Sequence, residues 1–468
     1  MTTRPARRSP RPETTRPAAR EEVLLDVGAP AHGGHCVART TDDPDGRVIF
    51  VRHALPGERV RAVMTQKTSK IWRADAIEIL SASPDRVEPV WPQAGPGGVG
   101  GGELSHVALG AQRTWKRWVL ADCLRRIGGP DVAQAVTEAA GGTAVSVEPL
   151  PSEVRAEASE DARTRALAGT GTRTRLALTA DERGRFGMHA FRSSTVLDPG
   201  RLPLAVAAIA DLGLTERALW RRHARPGSRL EAVAPSVGEP LVLIDGRVLT
   251  AEGRAASRRR VGEVVDASGL GLGELRYSVH ADGFWQVHKD APAALVDAVV
   301  RAVVTGSPSG GGASLAADRV AGTSVLELYS GAGLFTLPLA AAGARVVSLE
   351  GSAQAVGDAR RTLHGYDTVS LHAGRASARA VDELGRLDGT PADVVVLDPP
   401  RQGAGREVIE AVAALGPRRV VLVACDPAAL ARDLGSLLHS GYTVRGVRAL
   451  DMFPHTHHFE TVVVLDRH

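Results

Sequence analysis

Cys425 ends an apolar run, Val420-Val421-Leu422-Val423-Ala424, and is followed by Asp426-Pro427; Glu460 lies 35 residues further on, in Phe453-Pro454-His455-Thr456-His457-His458-Phe459-Glu460. The β-branched run reads as a buried strand of a parallel sheet that Pro427 stops, so the thiol sits at the strand's carboxyl end. Ligands bind at that edge of an open α/β sheet, which makes Cys425 a candidate nucleophile; the alternative is a cysteine that only packs.

Other strands bring further groups to the same edge. Ser324 to Tyr329 is a short apolar strand, and Ser330-Gly331-Ala332-Gly333-Leu334-Phe335 opens a helix running to Ala342. Gly331 and Gly333 let backbone approach a ligand, and the helix amino terminus offers it free N–H groups. The next strand, Ala344 to Leu349, ends on Glu350, 19 residues after Gly331, where a carboxylate can accept from both ribose hydroxyls. Ser352 is placed to cap a helix reaching Leu363. Thr336 stands where a dinucleotide fingerprint needs its third glycine, which favours an adenosyl ligand without a pyrophosphate over NAD. A third strand, Ala392 to Leu397, runs into Asp398-Pro399-Pro400-Arg401, whose prolines hold Asp398 rigidly at the sheet edge.

Taken together, Tyr329 to Phe335, Asp398-Pro399-Pro400-Arg401, Val423 to Asp433 and Asp451 to Glu460 resemble the motifs of the S-adenosylmethionine-dependent RNA (uracil-5-)-methyltransferases. Gly283-Phe284-Trp285-Gln286-Val287-His288 is similar to that family's glutamine motif. The resemblance implies an α/β, Rossmann-like class I methyltransferase domain that binds S-adenosyl-L-methionine. It implies that Cys425 adds to carbon 6 of uracil and that Glu460 removes the carbon 5 proton after methyl transfer. Gln286, Tyr329, Gly331, Gly333, Glu350 and Asp398 match cofactor-contacting or active-site positions, with Tyr329 near the adenosine. Leu334, His372-Ala373-Gly374-Arg375, Ala424 and Asp426 depart from the family's usual residues. Asp426 beside the thiol is expected to turn away as the cap of a helix from Pro427 to Leu438.

The amino-terminal part reads as nucleic-acid-binding. Residues 1–20 hold six arginines, four prolines and one acid, a disordered basic arm. Five short strands follow between Val23 and Leu80, and Gly33-Gly34, Leu55 to Val60 and Ser83 to Arg86 resemble the TRAM domain, an OB-like β-barrel. Its cations Arg52, Arg59, Arg61, Lys67, Lys70 and Arg73 are expected to meet RNA phosphate. The chain therefore divides into the arm 1–20, a TRAM-like barrel 21–83, a central α+β RNA-binding domain 84–275 and the methyltransferase domain 276–468. In the central part, Ala111 to Ile127 reads as an amphipathic helix with Trp115, Trp118, Leu120 and Leu124 on its apolar face, and Arg173 to Thr179 and Gly187 to Phe191 as sheet strands. Thr305 to Ala317 reads as a flexible loop inside the catalytic domain.

Relatives often place four iron–sulfur cysteines in the region matching Trp91 to His106 and Arg201 to Pro203, and none is present here. Cys36, Cys123 and Cys425 are far apart and unlike in context, so no cluster, no metal and no disulfide is expected. His455, His457 and His458 have no matching ligands elsewhere in the sequence to make them a metal site. No stretch approaches 18 apolar residues, which with the absence of a signal-peptide core leads to a soluble, cytoplasmic monomer. The net charge of +4 permits RNA binding. The expected activity is methylation of carbon 5 of a uridine in structured RNA, ribosomal (23S) rather than transfer RNA by analogy. Two alternatives stand beside it. The first is an RNA or protein amino-methyltransferase, disfavoured because Arg401 stands where those enzymes carry a stacking aromatic. A second is a non-catalytic RNA-binding factor with a decayed cofactor site.

Overall fold

Residues 21–43, 45–310, 320–387 and 389–467 are described by a computed structural model of the chain. The basic arm 1–20 and most of the expected loop from Thr305 to Ala317 lie outside these residues. The described residues form two compact units, one within 21–29 and 35–84, the other within 30–34 and 85–467.

In the first unit, strands β1 (Glu22–Ala31), β2 (His35–Thr40), β3 (Ile49–Arg52), β4 (Arg59–Lys67) and β5 (Trp72–Ser81) close into a barrel in the order β1-β2-β3-β5-β4. Alternation is the cause: Leu25, Val27, Val60, Ala62, Ala74 and Ala76 point inward and are buried, with charged residues between them. Those charges are mostly matched within the barrel. Arg59 donates to Asp26 (2.9 Å), Arg61 to Glu78 (2.8 Å) and Lys67 to Glu21 (3.0 Å), while Arg73 meets Gln66. Arg52, expected on a phosphate-binding face, is only 5% exposed and bonds to His53.

The second unit begins with helices α1 (Leu109–Cys123) and α2 (Pro130–Ala139), the short strand β6 (Val147–Glu148), and helices α3 (Pro151–Glu157) and α4 (Ala162–Ala166). The buried stripe of α1 is Gln112, Trp115, Lys116, Val119, Leu120 and Cys123, an i, i+3, i+4 pattern with two polar members. Trp118, expected on that face, lies off the stripe and is 53% exposed. Next come β7 (Arg175–Ala180), β8 (Phe186–His189) and β9 (Val196–Leu197), helices α5 (Ala207–Ala210) and α6 (Ala218–Arg221), then β10 (Arg229–Val233), β11 (Leu241–Ile244) and β12 (Arg247–Leu249). They form one sheet in the order β12-β11-β10-β7-β8-β9. A hairpin of β13 (Arg260–Asp266) and β14 (Glu274–His280) leads into α7 (Ala291–Thr305).

The remaining elements are β15 (Ser324–Leu328), α8 (Thr336–Ala341), β16 (Arg345–Glu350), α9 (Ala353–Thr362), β17 (Val369–Ala373), α10 (Ala378–Leu384), the two-residue strands β18 (Arg386–Leu387) and β19 (Thr390–Pro391), β20 (Val394–Leu397), α11 (Arg406–Leu415), β21 (Arg419–Ala424), α12 (Pro427–His439), β22 (Tyr442–Leu450) and β23 (Glu460–Arg467). They build an eight-stranded sheet, β17-β16-β15-β20-β21-β23-β22-β6, parallel from β17 to β21, with β23 antiparallel to both β21 and β22. Strand β6, from the stretch between the barrel and the catalytic strands, pairs in parallel with β22 at the edge. Both faces are covered, which is why the strands read as continuous apolar runs. Val325, Val394, Val396, Val421 and Val423 bury one way with α7 and α8; Leu326, Leu328, Val395, Leu397, Val420 and Leu422 bury the other way with α11 and α12. Among the described residues, no helix is long and apolar enough to cross a membrane.

Candidate active site

Register alone brings the candidate groups together. Ala424 of β21 pairs with Thr461 of β23 in an antiparallel ladder, so Cys425, one residue past Ala424, and Glu460, one before Thr461, are the next opposed positions. Opposed residues of such a ladder have Cβ atoms about 4.5–5.5 Å apart. On the parallel side Leu422 pairs with Leu397, Leu397 with Leu328 and Leu328 with Leu349, so Asp398, Tyr329 and Glu350 leave the same edge.

The turn after β15 is built for close approach. Tyr329 adopts φ +64°, a conformation costly for a side chain of its size, and Gly331 and Gly333 follow at +55° and +88°. A Cβ on Gly331 would meet nothing within 4 Å, so space lies above that backbone. Glu350 fastens the turn: one carboxylate oxygen accepts from the Gly331 N–H (3.0 Å) and the other from the Ser352 N–H (2.7 Å). Each oxygen keeps a second lone pair for another donor. Ser352 caps α9 as expected, accepting from Ala355 N. Leu334 is buried in the core, and its carbonyl accepts from the Tyr277 hydroxyl (3.0 Å), so its apolar side chain is explained by packing. Gln286 is buried in the loop between β14 and α7. Arg175 holds that loop by donating to the carbonyls of Ala281 (3.1 Å) and Gly283 (2.7 Å), and Thr174 N donates to Val287 O (2.8 Å).

Four carboxyls crowd this edge, and the crowding sets their proton affinity. Burial, then the charge of Glu350, pushes Asp398 up to about 7. Burial raises Glu460 well above the usual carboxyl range, with Asp398 adding to it and Arg401 opposing. Glu327 is pushed up to about 8, again by burial first, despite a 2.6 Å hydrogen bond donated by the Thr336 hydroxyl. Glu327 was not among the residues singled out in the sequence. Its signal is visible in retrospect: it is an acid in the middle of a strand buried on both faces. Glu327 Oε1 and Glu460 Oε2 are buried without a hydrogen-bond partner among the described residues. The half-buried Cys425 thiol is pushed up to about 12 by burial, then by Glu460 and Asp398, with Arg401 opposing.

Asp426 is turned away from the thiol. It caps α12, accepting from Ala428 N (3.0 Å) and Ala429 N (2.8 Å), and it takes a 2.9 Å hydrogen bond from His32. Burial opposes its charge, yet these donors hold its carboxyl below the usual range, and the groups that raise the Cys425 thiol are Glu460 and Asp398 instead.

The loop from Asp451 to Phe459, which carries Glu460 to the edge, is gripped by the polar members of the α1 stripe. Lys116, 0% exposed, pairs with Asp451, 1% exposed, and donates to Phe453 O (3.1 Å). Gln112 accepts from His455 N (2.7 Å) and donates to His455 Nδ1 (3.2 Å), while His455 Nε2 donates to Ala168 O (3.0 Å). Buried and so engaged, His455 has its pKa pushed down to about 4 and serves as a fixed neutral wedge. Glu103 bonds to the His457 ring and backbone N–H. The histidine trio therefore does have an acidic neighbour that spacing could not reveal: donor atoms of Glu103, His457 and His458 lie within 4.8 Å of one another. Glu103 is already matched to His457, however, and Arg401 Nη2 stands 3.3 Å from His458 Nε2, where its charge opposes a second cation.

Residues 314–468 match the tRNA (Uracil-5-)-methyltransferase family, and residues 19–77 match the TRAM domain. An uncharacterized RNA methyltransferase of Streptomyces avermitilis is 37% identical, covering 95% of this chain and 98% of that protein. A 23S rRNA (uracil(1939)-C(5))-methyltransferase of Halomonas elongata is 33% identical over 93% of this chain and 88% of its own length. In fold, the chain is similar to the Pyrococcus abyssi tRNA (uracil-54, C5)-methyltransferase solved with S-adenosyl-L-homocysteine, with a TM-score of 0.61, 20% identity and coverage of 95% and 99%.

Proposed function

The chain belongs to the S-adenosylmethionine-dependent RNA (uracil-5-)-methyltransferases, and from that premise we propose that it methylates carbon 5 of a uridine in 23S ribosomal RNA through a covalent bond to Cys425. The observation that carries the mechanism is the opposition of Cys425 and Glu460 across β21 and β23. A thiolate adding to carbon 6 makes carbon 5 an enolate nucleophile. A carboxylate beside it can then take the carbon 5 proton so that the thiolate is expelled. Choice of ribosomal over transfer RNA rests on two near-full-length relatives named for 23S rRNA, at 33% and 30% identity.

The residues present fit the cofactor. Orphaned carboxylate oxygens on Glu327 and Glu460, with Asp398 beside them, suit a ligand that brings positive charge. Glu350 and the open backbone at Gly331 suit a ribose and its adjoining atoms. When bound, the cofactor supplies an electrophilic methyl on a sulfonium. In the protein, Cys425 is protonated at rest and must lose its proton to a neighbouring carboxylate before it can attack. A positive charge at the site favours the ionised carboxylates that such a transfer and the later proton removal require. Phe284, 73% exposed beside Gln286 in sequence, offers an aromatic face on which a nucleobase can stack.

Two expectations test this reading. Incubating the protein with labelled cofactor and total RNA from a strain lacking its gene should place label in 5-methyluridine of 23S rRNA; label in N-methylated bases sinks the proposal. Cofactor affinity should also depend on pH. Asp398 and Glu327 hold protons up to about 7 and about 8, and a cation favours their ionised forms, so binding displaces protons and strengthens as pH rises. From about pH 5.5 to about 7.5 the affinity for S-adenosylmethionine should rise by up to about tenfold per unit for each proton displaced, and that for S-adenosylhomocysteine less. A flat calorimetric profile would remove these carboxyls as partners of the cation.

A further inference from the structure

Five of the six cations expected to meet phosphate on the barrel are engaged by neighbours, whereas the second unit carries an arginine that is not. Arg173, just before β7, stands out there. Its backbone is locked, with N–H donating to Leu204 O (2.8 Å), C=O accepting from Val206 N (2.9 Å) and a bridge to His288. Its half-buried side chain makes no hydrogen bond or ion pair among the described residues; the acid it feels is Glu103, which is committed to His457. Arg175, two residues on, shows the contrast: it spends its guanidinium on two carbonyls and on Glu263 (3.3 Å). A guanidinium cannot shed its proton, so a half-buried one whose neighbouring acid is committed to another cation is ready to take an anion.

The surroundings fit an extended anion. Gly101, at φ +89°, presents bare backbone to the guanidinium, and even an added Cβ would lie 3.9 Å from Nη1. Beyond Glu103, the His457 ring packs against His458 at a 39° tilt with centroids 3.9 Å apart, and His458 reaches Arg401, which in turn acts on Cys425 and Glu460. Arg173 and Arg401 thus stand at the two ends of one row of side chains that ends beside the nucleophile. Uracil is neutral, so the anions that can reach this guanidinium are the cofactor's amino-acid carboxylate and the polynucleotide backbone, and cofactor binding by an Arg173 variant separates the two. We infer that Arg173 binds a phosphate of the RNA close to the target nucleotide, an assignment that rests on the reading of the substrate as RNA.

The test is binding of an oligouridylate of about 20 nucleotides, followed by fluorescence anisotropy over a potassium chloride series. Arg173→Gln should weaken binding about tenfold at near-physiological salt and lower the slope of log K against log salt by about one, while Arg173→Lys restores the slope. Thermal stability and S-adenosylmethionine binding should be unchanged, because no hydrogen bond or ion pair of the side chain among the described residues is lost. Unchanged affinity and slope overturn the inference; so does weaker binding accompanied by lower stability or lost cofactor binding, which would make Arg173 part of the framework or a partner of the cofactor's carboxylate. A wild-type protein that makes no 5-methyluridine sinks the functional reading, whereas one that does, beside an Arg173→Gln variant that binds as tightly as wild type, sinks only this assignment.

Discussion

Replacing Cys425 with alanine should lower 5-methyluridine formation by roughly 10⁴–10⁶-fold, the scale seen when the nucleophile of a covalent mechanism is removed. Carbon 5 of uracil cannot attack a methyl group unless carbon 6 has first received a nucleophile, and Cys425 is the thiol at the carboxyl edge of the sheet. Cys36 and Cys123 are buried elsewhere. The variant should still bind S-adenosylmethionine, because Glu350 and Gly331, proposed to hold it, are carried by other segments. The alanine also removes a half-buried thiol rather than a core side chain, so stability should fall by only about 1 kcal/mol. A second readout isolates the covalent step. RNA carrying 5-fluorouridine has no carbon 5 proton to give up, so wild type should stall as a protein–RNA adduct that survives denaturing electrophoresis. Cys425→Ala should form none. Turnover within about tenfold of wild type would exclude Cys425 as the nucleophile.

Much of this site could be read before any coordinates, and the reason is local. Buried parallel strands announce themselves as apolar runs, and the residue that breaks each run marks the edge where chemistry collects; Glu350, Asp398 and Cys425 emerge this way, while Tyr329 is singled out by the family resemblance. Asp426 was legible too, because aspartate before proline is a capping signal. What stayed hidden depends on pairings hundreds of residues apart. Gln112 and Lys116 look like ordinary polar residues of an amphipathic helix until Asp451 and His455 are folded against them. Glu103 acquires meaning only beside His457, and the barrel arginines lose theirs once Asp26 and Glu78 are seen opposite them. Trp118 shows the converse error: an aromatic residue was placed on the apolar stripe by its type, when helical phase puts it in solvent and gives its place to Lys116.

Glu460→Gln should separate methyl transfer from product release. Glutamine keeps the shape of the side chain but cannot accept the carbon 5 proton, so the enzyme should add Cys425 to the ring, transfer the methyl group and then stall. The expected result with ordinary, unfluorinated RNA is an accumulating covalent complex that carries the transferred label. Release of 5-methyluridine should slow by about 10²–10⁴-fold, the usual contribution of a positioned general base, or about 3–5 kcal/mol of barrier. The buried setting makes the effect specific to this residue. Glu460 Oε2 has no hydrogen-bond partner among the described residues, and its proton affinity is raised by burial and by Asp398, so its ionised form is a stronger base than an exposed carboxylate. Asp398 is the competing candidate, since its pKa near 7 leaves it ionised about half the time at neutral pH. The two assignments diverge in one measurement. If Asp398 were the base, Asp398→Asn would accumulate the labelled complex and Glu460→Gln would release product as fast as wild type. Both carboxyls leave strands that neighbour β21, but Glu460 opposes Cys425 across the antiparallel ladder and raises the thiol more than Asp398 at the end of β20 does, which leads us to expect the adduct in Glu460→Gln.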